Sequence, residues 1–67
     1  MYGNLALELR RKKITYKAVA ELIAASERTV SNKVNGISDF TVTEVLAISQ
    51  NLLPEFTLAY LFQQTPS

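Results

Sequence analysis

Between Ser26 and Gly36 the chain reads SERTVSNKVNG, and several polar side chains in it are spaced to work together. At about 100° per residue of a helix, Val30 and Val34 fall on one side. Arg28, Asn32 and Asn35 fall on the other, with Ser31 beside them. These types suit the edges of bases, since Arg can bond guanine O6 and N7 together and Asn can do the same for adenine N6 and N7. Helix propensity gives no reason to choose Asn or Ser, so the stripe points to nucleotide contact ahead of plain solvation. Glu27 has two readings. A carboxylate in a first helical turn stabilises the helix dipole, and one in a major groove can accept from cytosine N4. Lys17 and Lys33 flank the stripe as charges for phosphates, which fix position without reading sequence.

Other chemistry is poorly supplied. The chain has no His and no Cys, and its six acids are scattered, so no nucleophile with its base and no metal cluster is suggested. Gly3 and Gly36 stand alone, which leaves no phosphate-cradling loop. The expectation is a binding module, not an enzyme, with no metal and no cofactor.

The elements that would position the stripe can be read in order. Asn4 is placed to cap a first helix in which Leu5 and Leu9 recur at i and i+4. Arg10 to Lys13 gather at its C-terminal end, where either the helix dipole or phosphate contact explains them equally. Thr15 caps a second helix that buries Val19, Leu22 and Ile23 and exposes Tyr16 and Lys17, with free N–H groups at Thr15 and Tyr16 to offer a phosphate. Ala20 is small where the helices cross, Ala24 is small at a crowded corner, and Val30 plugs the third helix onto the second. Ser26 caps that third helix and Gly36 closes it in the left-handed conformation. Phe40 turns back into the core. Thr41 and Glu44 form a capping-box pattern, so a fourth helix runs from about Val42 to Asn51 with Val45, Leu46 and Ile48 inward.

After Pro54, Thr57 can cap a short helix from Leu58 to Phe62 or Gln63, while the run FTLAYLF also has the composition of a strand. Phe56, Leu58, Tyr60, Leu61 and Phe62 are too many for one small core. They are expected to bring in a second copy of the chain. Residues 64–67 are expected to fray, and the whole of 1–67 to make one domain.

Net charge is only +1, but all seven bases precede Gly36 against three acids there, a surplus of four, and the remainder carries three acids and no base. That split predicts one face for polyanions. No segment approaches the roughly 20 apolar residues of a membrane span, and the N-terminal charge follows the apolar part, unlike a secretory signal. A soluble protein of the cytoplasm is expected.

Thr15, Ala20, Ser26, Thr29, Val30, Ser31, Asn35 and Gly36 together resemble the helix-turn-helix family of phage repressors and Cro proteins. SNKVNG, DFTVTEVLAI and LPEFTLAYLF, in that order, resemble the short Cro-like regulators of phages and prophages of Gram-positive bacteria. The resemblance spans nearly the whole chain. It implies an all-α, five-helix, lambda-repressor-like DNA-binding domain with the helix-turn-helix at helices 2 and 3. It implies a regulator that occupies double-stranded operator DNA as a homodimer in a bacterial host cell. Carried over by position, Glu27, Arg28, Ser31 and Asn32 face the bases, and Tyr16, Lys17, Ser26, Thr29, Lys33 and Asn35 lie near phosphates. Three departures stand out: Tyr16 replaces the family's usual Gln, Ala24 replaces the corner Gly, and Lys33 with Val34 rotates the buried face. That rotation would give Thr29 or Lys33 groove access at the expense of Glu27. Two rival implications of the same fold stay open: an antirepressor that binds the phage's main repressor protein through its apolar tail and acidic half, and an antitoxin-like module.

Overall fold

The computed structural model describes residues 1–64, and these form an all-helical unit with five helices and no strand among them. The elements are α1 (Gly3–Arg11), α2 (Tyr16–Ile23), α3 (Glu27–Val34), α4 (Val42–Leu52) and α5 (Leu58–Leu61). The strand-like alternative for FTLAYLF is therefore not taken, and the short helix after Thr57 is. Of the expected frayed end, residues 65–67 lie outside the described residues, while the Gln64 amide donates to the Tyr2 hydroxyl at 3.1 Å.

Four helices start where a hydroxyl can satisfy an otherwise unpaired N–H. Thr15, Ser26, Thr41 and Thr57 accept from the backbone N–H of Ala18, Thr29, Glu44 and Tyr60, respectively. At Thr41 the box is complete, since the Glu44 carboxylate also accepts from the Thr41 N–H. Helix α1 is the exception. Its cap position is Tyr2, with no side-chain cap. Asn4, expected to cap it, lies inside the first turn, and its amide donates to the Tyr60 carbonyl at 2.9 Å. The chain start is held from elsewhere: the Tyr2 N–H bonds the Val34 carbonyl at 2.8 Å.

Leu5, Leu9, Val19, Val30, Val34, Ile48, Leu53 and Leu61 are fully buried and come from all five helices and the α4–α5 loop. Each such side chain contributes about 1.5–3 kcal/mol by leaving water. Phe40 does turn inward, forming an aromatic triad with Tyr2 and Phe62 at centroid distances of 5.5–5.8 Å. Two leucines do not follow expectation. Leu22 and Leu46 keep 36% and 39% of their surface exposed. Leu22 lies about 100° round its helix from Ile23, which packs against the core, and Leu46 lies about 160° round from the fully buried Ile48, which carries both away from the buried stripe. Ala24 also needs a different explanation. It is exposed and takes φ 57°, so the corner depends on a left-handed backbone, not on crowding.

Candidate nucleic-acid interface

Helix α3 is rotated about its axis by Val30 and Val34, both without exposed surface. Its opposite side therefore faces out. Arg28 is exposed there and Glu27 is exposed at the first position of the helix, and among the described residues neither has an ion pair or a side-chain hydrogen bond. Ser31 and Asn32 are half-buried. The Ser31 hydroxyl accepts from the Asn35 amide at 3.3 Å, while Asn32 receives the Ile37 and Ser38 N–H groups at its carbonyl and leaves its amide unengaged. Of the four base-reading candidates, Glu27 and Arg28 are thus exposed charges without a partner among the described residues. Glu27 keeps its exposure.

The phosphate candidates divide. Lys17 is exposed and unpaired, and Asn35 is exposed at the C-terminal end of α3. Tyr16 is half-buried against the core. The Ser26 hydroxyl is engaged twice by one residue, accepting from the Thr29 N–H at 3.1 Å and donating to its Oγ1 at 2.9 Å. Thr29 is therefore held against its own helix start, half-buried, and gains no outward reach.

Lys33 is the clearest correction. Its Nζ lies 2.6 Å from Glu44 Oε1, with the two side chains only 13% and 18% exposed, and 5.8 Å from the Phe40 ring centroid. It points to the start of α4 because the carboxylate of the capping box waits there. Partial burial alone would raise the Glu44 carboxyl, but the Lys33 hydrogen bond, the Thr41 backbone N–H and the Lys33 charge together hold it below its ordinary value. A lysine so engaged is not a spare charge for a duplex.

The expected pairing residues divide as well. Leu61 is fully buried inside its own chain, and Phe62 belongs to the aromatic triad with Tyr2 and Phe40, so neither offers a surface to a second copy. Phe56 stacks on Tyr60 at 5.6 Å, both half-buried. Leu58 alone of the five is exposed, at 41%. The physical reason is that the last helix packs one side into the core, with Leu61 buried and Tyr60 and Phe62 packed against it, and leaves Leu58 and Ala59 outside.

Sequence reasoning missed three features. Ile37 and Val42 are the most exposed large apolar side chains, at 74% and 76%. The basic run 10–13 is not one patch: Lys12 donates to the Leu52 carbonyl at 3.0 Å and pairs with Glu55 at 2.8 Å, and Arg11 approaches Glu8 at 3.7 Å. Arg10 and Lys13 are exposed and unpaired among the described residues. Finally, the charge split along the sequence is partly cancelled in space, because Lys12 and Lys33 from the basic half hold Glu55 and Glu44 from the acidic half. No helix among the described residues is long and apolar enough to cross a membrane.

Comparison of the chain with known protein families, characterised proteins and solved structures finds no match.

Proposed function

We propose that the chain is a lambda-repressor-like helix-turn-helix module, α2 and α3 forming the motif, that binds double-stranded operator DNA sequence-specifically and regulates transcription in a bacterial cytoplasm. The observation that carries this reading is the state of Arg28: exposed, unpaired among the described residues, and on the side of α3 opposite the fully buried Val30 and Val34, with Glu27 exposed and unpaired at the helix start. In a major groove Arg28 would bond guanine O6 and N7, Asn32 adenine, and Glu27 a cytosine amine, with Ser31 beside them. Lys17 would hold a phosphate, with Tyr16 and Asn35 near the backbone. Two subunits would place α3 in successive major grooves about 34 Å apart, pairing through Leu58 and the exposed edges of Phe56 and Tyr60, and would act by blocking polymerase.

Selection of preferred sequences from random duplex DNA tests the proposal, with a palindromic winner expected. On that winner Arg28→Ala should cost roughly 1–3 kcal/mol at one base position, while Lys17→Ala should weaken all sequences alike and lower the salt slope by about 1. Identical behaviour of the two variants would count against the assignment. The exposed Ile37 and Val42 favour a second reading, an antirepressor that binds a repressor protein. Light scattering that finds a monomer with tight repressor binding, and duplex binding only at low salt, would select it.

A further inference from the structure

Three successive helices end in a closure built on one left-handed residue, and that residue differs each time. At the end of α1 the Lys13 N–H bonds the Arg10 carbonyl at 3.0 Å and the Ile14 N–H bonds the Leu9 carbonyl at 2.9 Å. At the end of α2 the Ala25 N–H bonds the Ala20 carbonyl at 2.9 Å. At the end of α3 the Gly36 and Ile37 N–H groups bond the Lys33 and Asn32 carbonyls at 3.2 and 2.9 Å. Each closure needs one left-handed residue: Lys13 at φ 58°, Ala24 at φ 57° and Gly36 at φ 85°. Glycine adopts that backbone without strain, whereas a residue with a Cβ does so at a cost in stability.

At Lys13 the strained position also carries a long cationic side chain that nothing inside the fold uses. It is exposed, with no ion pair or side-chain hydrogen bond among the described residues. Its neighbour Lys12 is the opposite case, engaged by both Glu55 and the Leu52 carbonyl. A strained residue whose side chain serves no internal contact points to use outside the molecule. Its location supplies the partner. Lys13 lies two residues before Thr15, the cap of α2, and four before Lys17, another exposed and unpaired cation. In the two-helix motif the first helix crosses the DNA backbone, so cations at its start meet phosphates.

We infer that Lys13 is a phosphate contact on the duplex backbone, acting with Lys17, and that the internally paired Lys12 and Lys33 are not. The inference rests on the duplex-binding reading. The contact would be independent of sequence and would act by releasing condensed counterions.

The test uses the full chain as wild type and as Lys13→Gly, Ala24→Gly and Lys12→Gln, with a labelled mixed-sequence duplex titrated over a series of salt concentrations and with thermal melts alongside. Lys13→Gly relieves the left-handed strain, so it folds, and its melting temperature should rise by several degrees. Its salt slope should fall by about 0.9, the value of one phosphate contact. Stability and affinity thus move in opposite directions. Ala24→Gly should melt higher with its slope unchanged, and Lys12→Gln, which removes the same charge, should keep the wild-type slope. The inference is overturned if Lys13→Gly keeps the wild-type slope, if Lys12→Gln loses as much slope as Lys13→Gly, or if Lys13→Gly melts lower, since the lysine would then be stabilising α1 itself. A wild-type chain with no affinity for duplex at any salt would overturn the duplex reading too, which separates the two failures.

Discussion

Along α1, Asn4, Glu8 and Lys12 follow one another at intervals of four, and each reaches the C-terminal segment. Asn4 donates to the Tyr60 carbonyl, Glu8 accepts from the Tyr60 hydroxyl at 2.6 Å, and Lys12 holds the Leu52 carbonyl and Glu55. On α3, Glu27, Arg28 and Asn32 are of the same chemical kinds, an acid, a base and an amide, and none of their side chains meets a partner among the described residues. The two regions teach what polar side chains on a small helical domain are for. On α1 they fasten a short terminal helix that propensity alone would not hold, because four residues are far below the length at which a helix is stable by itself. On α3 the helix is already fixed by its cap, two buried valines and the Lys33–Glu44 pair, so Glu27, Arg28 and the Asn32 amide are left for something else.

The contrast is broken most directly by removing what the fastening protects. Leu61→Ala should cost about 2–5 kcal/mol of unfolding free energy, since Leu61 has no exposed surface and a cavity would remain between α1 and α4. Denaturant unfolding measures it, and a loss under 1 kcal/mol would mean that α5 is not part of the cooperative core. Arg28→Ala is the matching change on α3. It should leave unfolding within about 0.5 kcal/mol of wild type, because the exposed side chain makes no ion pair or hydrogen bond among the described residues, while under the proposed function its whole effect would fall on duplex binding. A large loss of stability there would erase the distinction between the two regions. Asn4→Ala is smaller again. It removes one partly buried hydrogen bond to Tyr60, worth about 1 kcal/mol, and should accelerate amide exchange in α5 before it affects α2 or α3.

The α3 side of this contrast was legible in the sequence and the α1 side was not. Val30 and Val34 announce the inner side of α3 by their spacing, and Ser26, Thr41 and Thr57 announce helix starts because a hydroxyl at a cap acts within three residues. The fastening acts across 40 to 56 residues of chain, and no local pattern signals that Asn4 will bond residue 60 in place of capping α1. Lys33 was misread for the same reason: its carboxylate partner belongs to a capping box eleven residues on. The apolar tail was expected to be too much for one small core, yet Leu61 is in that core and Phe56, Tyr60 and Phe62 pack against it. Packing against α1 and the Tyr2–Phe40–Phe62 cluster absorbs most of it, which a list of residues cannot reveal.

Titration gives the mildest perturbation of the comparison and resolves its two sides by sign. The hydrogen bond to Glu8, with burial and the Glu8 charge behind it, raises the Tyr60 phenol above its ordinary value. A group raised in the folded state adds stability that is fully present below its unfolded pKa and is lost as pH rises through the folded one, so the α1–α5 fastening should weaken at alkaline pH. The carboxyl groups behave oppositely. The Lys12 hydrogen bond lowers Glu55, and Glu44 is lowered as described, so their contributions are present above the ordinary carboxylate range and lost as pH falls through the folded values. Melting temperature against pH should therefore show a plateau with one acid and one alkaline shoulder. Tyr60→Phe should flatten the alkaline shoulder alone, and Glu44→Gln should shrink the acid one. If Tyr60→Phe instead altered the acid side and left the alkaline side intact, the phenol would not be bound to Glu8, and the polar ladder on α1 would lose its central rung.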